Sequence, residues 1–227
     1  MLRPVTGGAV VIFDCNGVLV DSEPIVSAVL ADAFGRVGVA LTADEVMRQF
    51  HGRRTKDVFA IVEKATGRRL PVGFRSNVAA DILQRLRSEL RAVAHAAHAL
   101  SWLRGPKAVA SSSAIDRVQL SLEVTNLLRF FGPRLFSASD VDKGKPAPDL
   151  YLLAADRMKV KPSECIVVED SAAGVAAAAA AGMMPVGFVG GSHAGGELTR
   201  ELLEVGARSV IADMRALKST VIELRGW

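Results

Sequence analysis

The 227-residue chain predicts an α/β fold: a mostly parallel sheet flanked by helices and interrupted by an inserted helical domain. Three observations predict it. Short continuous apolar runs recur along the chain, each ending in polar residues, as buried strands of a parallel sheet do. Helical patterns separate the later runs, and strands alternating with helices build parallel sheets. Between Ser22 and Ala92 no such run occurs and the patterns are helical throughout.

The first strand is Val10-Val11-Ile12-Phe13, which ends in Asp14-Cys15-Asn16-Gly17. Helical segments then cover Pro24 to Phe34, Thr55 to Ala65 and Val72 to Leu90, with a shorter helix opened by Asp44-Glu45. So much helix exceeds a simple crossover. Residues 21–91 are therefore expected to form a helical cap domain, with hinges near Val20-Asp21 and Arg91-Ala94. Residues 1–20 and 92–227 would form the α/β core. The second strand, Lys107-Ala108-Val109-Ala110, runs into Ser111-Ser112-Ser113. A helix is expected from Ala114 to Phe131, with apolar residues at Val118, Leu122, Leu127 and Leu128. A weaker strand follows at Leu135-Phe136-Ser137. Pro148 opens a helix over Asp149 to Met158. The third strong strand is Cys165-Ile166-Val167-Val168, ending in Glu169-Asp170. An alanine-rich helix from Ser171 to Ala181 stops before Gly182. Val186-Gly187-Phe188 and Val210-Ile211 complete the strands.

Composition narrows the function classes. Half of the residues are hydrophobic and 23% are charged, which excludes a disordered chain. There are 34 alanines against 5% aromatics, so close packing of small residues is expected rather than an aromatic ligand platform. The isoelectric point is about 9.3, yet 28 Lys and Arg face 24 Asp and Glu. That narrow excess predicts no nucleic-acid partner and suits an anionic small molecule equally well. The chain begins Met1-Leu2-Arg3-Pro4 without a long apolar leader core, and Ala176 to Ala181 is far too short to span a bilayer. Two distant cysteines, Cys15 and Cys165, are no disulfide framework and are expected to be reduced. A cytoplasmic protein with no membrane association and no evident obligate protein partner is expected.

Ligands of open α/β sheets bind at the carboxyl ends of the strands. Those ends carry Asp14, Ser111, and Glu169 with Asp170, and the Gly144-Lys145-Pro146 loop adds a cation. Each has an ordinary alternative: a turn aspartate, a helix-opening serine, a solvated lysine, an acidic helix N-terminus. Together they make an oxygen-rich set suited to magnesium, with a lysine and metal to hold phosphoryl oxygens and a carboxylate as nucleophile.

Four ordered motifs carry a resemblance. They are Asp14-Cys15-Asn16-Gly17-Val18-Leu19-Val20-Asp21-Ser22-Glu23, Val109-Ala110-Ser111-Ser112-Ser113, Gly144-Lys145-Pro146-Ala147-Pro148-Asp149, and Val168-Glu169-Asp170-Ser171-Ala172-Ala173-Gly174 continuing to Ala181-Gly182-Met183. In these the sequence resembles the haloacid dehalogenase-like hydrolase superfamily, in its small-helical-cap phosphatases and phosphomutases, over nearly the whole chain. The resemblance implies a Rossmann-like sheet and Mg²⁺-dependent hydrolysis of small sugar, polyol or sugar-acid phosphates through an aspartyl-phosphate on Asp14. It implies that Ser111, with Gly17 and Ser112, and Lys145 bind the phosphoryl group. It assigns Mg²⁺ to Asp14, the Asn16 backbone carbonyl and Asp170, with Glu169 acting directly or through water. A sugar phosphomutase and a silent phosphate-ligand binding protein share this apparatus.

The departure is Asn16. The family's phosphatases carry a second aspartate there as general acid and base, and an amide performs neither task. Such assistance is typically worth about 10²- to 10⁴-fold, so impaired turnover is expected. Asn16 admits three explanations: a trapping substitution, a natural loss of turnover, or a different chemistry. Dehalogenases of the superfamily lack the Glu169-Asp170 pattern, and neither Lys56 nor Lys64 is marked as the Schiff-base lysine of phosphonate-cleaving relatives. Within the cap, Phe50-His51-Gly52-Arg53-Arg54-Thr55 resembles a specificity loop, in which Gly52 permits close approach and Arg53 or Arg54 meets a second anionic or polyhydroxyl group; the same residues also read as a helix N-terminus at Thr55 with solvated arginines. His51 reads as a surface or packing residue, and His193 as a residue bordering the pocket.

Overall fold

The computed structural model describes residues 10–225. In chain order its elements are β1 (Val10–Phe13), α1 (Glu23–Arg36), α2 (Ala43–Phe50), α3 (Thr55–Thr66), α4 (Phe74–Glu89), α5 (Ala96–Trp102), β2 (Lys107–Ser111), α6 (Ile115–Val124), β3 (Leu135–Ser137), α7 (Asp149–Met158), β4 (Cys165–Glu169), α8 (Ala172–Ala180), β5 (Met184–Phe188), α9 (Leu198–Glu204), β6 (Ser209–Ile211) and α10 (Leu217–Arg225). The strands form one parallel sheet in the order β3-β2-β1-β4-β5-β6. β1 is central, with Ile12 between Ala108 and Val167. The chain winds outward from β1 through β2 and β3, then returns to start β4 on the other side of β1. That reversal places the carboxyl ends of β1, β2 and β4 side by side, where α/β sheets form ligand crevices.

The strict alternation of side chains in a strand divides the core into two layers. Val10 and Ile12 join Ala108, Val167, Tyr151 and Ala154 on the face covered by α7 and α8. Val11 and Phe13 join Val109, Val168, Leu122 and Phe131 on the opposite face. Both faces are buried, which is why these strands read as unbroken apolar runs rather than alternating ones. Ala177 and Ala178 lie fully buried on α8, so alanine brings this helix close to the sheet. Ser171 caps it by accepting a hydrogen bond from the Gly174 amide at 3.1 Å.

The helical insertion leaves and rejoins the core at one place. Asp21 donates its amide to the Arg91 carbonyl at 2.9 Å, and Val93 donates to Leu19 at 2.9 Å. The two crossings thus lie side by side as a short antiparallel bridge between Val20 and Ala92. Between them α1 to α4 bury Phe34, Phe59 and Phe74, a triangle with ring centroids 5.7–6.2 Å apart that is continuous with the core layer of Val11 and Phe13. Each such aromatic pair adds about 0.5–1.5 kcal/mol beyond area burial. Thr42 and Glu45 form a reciprocal capping box that starts α2.

Two readings of the sequence need correction. The helix expected through Phe131 stops at Val124, because Asn126 takes a left-handed φ of 57° and Leu127 donates back to Leu122 at 2.8 Å. Leu127 is still fully buried, so the apolar spacing runs past the helix end and conceals it. The helices α5, α9 and α10 were not anticipated at all. Both cysteines are buried and unpaired, Cys15 just beyond β1 and Cys165 at the start of β4. Among the described residues no helix is long and apolar enough to cross a membrane.

Candidate active site

The strand ends bring most of the expected residues together. Asp14, immediately after β1, is 7% exposed, and Ser111 at the end of β2 is fully buried. Lys145 reaches between them from the loop before α7. Its Nζ donates to Asp14 Oδ1 at 2.6 Å, to the Ala110 carbonyl at 3.4 Å, and to Glu169 Oε1. It also sits 5.1 Å from the centre of the Tyr151 ring. Burial works against its charge, but Asp14 and Glu169 outweigh that cost and hold its pKa well above the usual range. Burial, opposed by Lys145 and reinforced by the charges of Glu169 and Asp170, pushes the Asp14 carboxyl up to about 8.

Glu169, expected to serve the metal directly or through water, is engaged by protein groups on both oxygens. Its Oε1 accepts from Lys145 and from Tyr151 Oη at 2.7 Å. Its Oε2 accepts the amides of Asp170 and Ser171 at 3.1 Å each and the Ser171 hydroxyl at 3.0 Å. Full satisfaction lets this carboxylate lie completely buried, behind Lys145.

Asn16 donates its backbone amide to Asp14 Oδ2 at 3.0 Å and its Nδ2 to Ser113 Oγ at 2.9 Å. Its buried Oδ1 has no hydrogen-bond partner. Ser111 Oγ accepts from the Ser113 amide at 3.2 Å, which leaves its own hydroxyl proton available. Two expected phosphate contacts are otherwise engaged. The Gly17 amide donates to the Val20 carbonyl at 2.8 Å, and the Ser112 hydroxyl donates to the Gly52 carbonyl at 3.1 Å. Gly17 is required sterically: its φ is +71°, and a Cβ there would stand 1.7 Å from Asp170 Oδ2.

The loop after α2 closes over these residues. Gly52 has a φ of +75° and lies so near the core that a Cβ would meet Ser171 at 2.7 Å. Arg53 lines the pocket beside Asp14 and Ser111. Arg54 does not; it forks onto Asp57 at 2.6 and 3.2 Å and donates to the Asp142 carbonyl at 3.3 Å, so it ties the insertion to the core. His51, read as a packing residue, meets Asp170 Oδ2 through Nε2 at 3.2 Å. His193 approaches the same oxygen at 3.0 Å. Burial opposes the charge on Asp170, yet the two histidines outweigh it and hold its pKa below the ordinary carboxylate range.

Sequence reasoning missed Arg117, on the first turn of α6. It is 9% exposed, lines the pocket with Asp14 and Ser111–Ser113, and its Nε has no hydrogen-bond partner. Among the described residues it forms no ion pair, and Glu23 is the acidic group that acts on it most strongly. The only signal was a cation four residues after a serine-rich strand end. Tyr151, the chain's single tyrosine, was missed because its role depends on contact with Glu169 from another element.

The comparisons with known proteins follow this geometry. Residues 9–182 match the haloacid dehalogenase-like hydrolase family. The chain is 35% identical to the 6-phosphogluconate phosphatase of Escherichia coli K12 over 184 residues, covering 81% of this chain and 83% of the relative. Its fold is similar to that of a haloacid dehalogenase-like protein of unknown function from Agrobacterium tumefaciens, with a TM-score of 0.82 and 32% identity over 96% of this chain and all of the other. A hydrolase of the family from Deinococcus radiodurans, solved with bound phosphate and sodium, superposes with a TM-score of 0.74 and 32% identity over 95% and 96% of the two chains. On sequence and fold together, this chain belongs to the haloacid dehalogenase-like hydrolase family, as a phosphatase-type hydrolase.

Proposed function

We propose that this protein acts on a small sugar-acid or similarly anionic phosphomonoester, with Asp14 as nucleophile, and that Asn16 makes its turnover slow. The observation that carries the reading is the Lys145 ammonium 2.6 Å from Asp14 Oδ1 and 3.4 Å from the Ala110 carbonyl, next to Ser111. Phosphoryl transfer needs little covalent machinery beyond a nucleophile, positioning, and charge around three equatorial oxygens. Asp14 would attack phosphorus and carry the phosphoryl group. Lys145 holds Asp14 and offers its positive charge to a phosphoryl oxygen, while the Ser111 hydroxyl donates to another. Glu169 acts through Lys145, whose position it fixes with Tyr151 behind it.

The residues fit a divalent cation. Burial, with the nearby charges of Glu169 and Asp170 only partly offset by Lys145, raises Asp14 to about 8, where a nucleophilic carboxylate would be largely protonated at neutral pH. Oxygen donors of this kind suit Mg²⁺. Asp14, Asp170 and the Asn16 backbone carbonyl would hold it, and when bound it supplies positive charge to the carboxylate and phosphoryl oxygens. Asn16 presents an amide where protonation of the leaving oxygen is needed, and an amide N–H can donate a hydrogen bond but is too weak an acid to transfer its proton. The helical insertion serves as a cap that excludes water, joined to the core through Ser112, Arg54 and His51. Arg117 and Arg53 place two cations in the pocket beyond Asp14, matching a second anionic group on the substrate. The name of the 6-phosphogluconate phosphatase relative, whose substrate carries both a phosphate and a carboxylate, supports that choice.

A phosphate-release screen with Mg²⁺ tests the reading, run on this protein and on Asn16→Asp across sugar-acid, sugar and polyol phosphates. The substitution is expected to raise the rate about 10²- to 10⁴-fold, most with sugar-acid phosphates. Ordinary turnover by the unaltered protein with no gain in the variant would refute the role of residue 16. No release from either form would favour silent ligand binding.

A further inference from the structure

Asp170 is flanked by two imidazoles from different parts of the chain. His51 arrives from the loop after α2 in the helical insertion, and His193 from the loop after β5. Their Nε2 atoms lie 3.2 and 3.0 Å from the same oxygen, Oδ2. One ligand atom from each of the three residues falls within 4.8 Å of the others. The ring centroids of the histidines are 4.5 Å apart.

His193 is the informative member. Its side chain is 2% exposed, yet neither ring nitrogen has an aligned hydrogen-bond partner. Burying an unpaired polar ring is costly, and the backbone is shaped to hold this ring there. A Cβ on Gly17 would stand 2.7 Å from His193 Cε1, and one on Gly191 would stand 2.6 Å from it. The imidazole therefore fills a slot between two glycines that aims it at Asp170. A mere salt link to Asp170 is already supplied by His51 and gives no reason for a second, misaligned ring.

We propose that His51, His193 and Asp170 bind a nitrogen-preferring divalent transition ion such as Zn²⁺ or Co²⁺. Zinc bonds to imidazole nitrogen and carboxylate oxygen are about 2.0–2.2 Å, so the edge of a tetrahedral site is roughly 3.3 Å. The nitrogen-to-oxygen separations of 3.0 and 3.2 Å lie close to that edge. Two imidazoles and one carboxylate are a donor set for zinc, cobalt or iron, whereas magnesium prefers oxygen alone. Three protein ligands leave a position for water or an anion. The ion would join the insertion to the core. Binding itself does not depend on the phosphatase reading. One consequence does rest on it: the transition ion and Mg²⁺ compete for Asp170.

Titration of the metal-free full chain with Co²⁺ tests the site through visible d–d absorption, with Zn²⁺ displacement followed in the same cuvette. One Co²⁺ per chain is expected to give bands that Zn²⁺ abolishes. His51→Gln and His193→Gln are each expected to weaken binding by about 100-fold or more, since loss of even an outer partner costs 10- to 100-fold. His95→Gln, remote from the site, should bind as the unaltered protein does. Absence of the bands, or equal binding by all three variants, overturns the proposal. Should either site variant fail to fold by circular dichroism, anomalous scattering from a zinc-soaked crystal of the unaltered protein decides: density between the three side chains supports the site, and zinc only elsewhere overturns it. These readouts use no turnover, so a failed phosphatase reading would leave them unchanged.

Discussion

Arg117→Met separates substrate recognition from stability at a single side chain. The guanidinium is buried, unpaired among the described residues, and its Nε is unsatisfied. Replacing buried ionic groups by well-packed apolar residues is often neutral or stabilising by about 1–4 kcal/mol. Methionine retains most of the aliphatic volume, so the melting temperature of the ligand-free variant should rise. For a chain of this size each kcal/mol moves the midpoint by roughly 2–4 °C. The same change removes a charge-assisted hydrogen bond to a second anionic group, worth about 1.5–3 kcal/mol. At 1.36 kcal/mol per decade, that predicts a loss of about 10- to 150-fold in kcat/KM. The loss should fall on a sugar-acid phosphate and spare a polyol phosphate of similar length. The assay is steady-state phosphate release on both substrates in the Asn16→Asp background, beside a thermal melt of the same samples. Equal losses on the two substrates, or a lowered melting temperature, would refute the reasoning, because Arg117 would then be a structural cation.

Three further predictions concern the supporting structure. Tyr151→Phe removes the hydroxyl that donates to Glu169 at 2.7 Å, and should lower stability in denaturant by about 1–3 kcal/mol, the usual cost of a lost partner for a buried acceptor. Gly17→Ala should cost about 1–2 kcal/mol from its left-handed backbone alone, plus the clash with Asp170, so unaltered stability would contradict the placement of that loop. In chelator-treated protein, Asp14 is held up to about 8 from an ordinary 3.8. A raised folded-state pKa means that the folded state binds the proton more tightly, so Asp14 subtracts stability as pH rises from about 4 to about 8. Asp14→Asn should therefore stabilise metal-free protein more at pH 8 than at pH 5, as read by melts at both pH values; no pH-dependent difference would count against the burial that holds Asp14 up.

Much of the core was legible because its strands are buried on both faces. Unbroken apolar runs at Val10–Phe13 and Cys165–Val168 could be neither amphipathic helices nor half-exposed strands. Short elements at the chain's end escaped notice because α9 and α10 each bury only one or two residues, too few to impose a period. Likewise, the end of α6 was hidden by Leu127, which is buried whether or not the helix continues.

Residue chemistry and chain order placed Asp14, Ser111 and Glu169 with Asp170 at strand ends, since a parallel sheet leaves its loops there, and put Lys145 in the loop before α7. The expectation of a missing carboxylate at Asn16 also came from sequence, because it needs only the resemblance and the identity of one residue beside Asp14. Which of these groups would face one another was decided by the tertiary structure. Glu169 turned to Lys145 and Tyr151, Arg54 turned to Asp57, and Arg117 entered the pocket. His51 and His193, separated by 142 positions, met at Asp170. Spacing along the chain carries no information about such meetings. They depend on how the insertion closes on the sheet and on glycines at Gly17 and Gly52 that admit close approach, and those are properties of the packed chain.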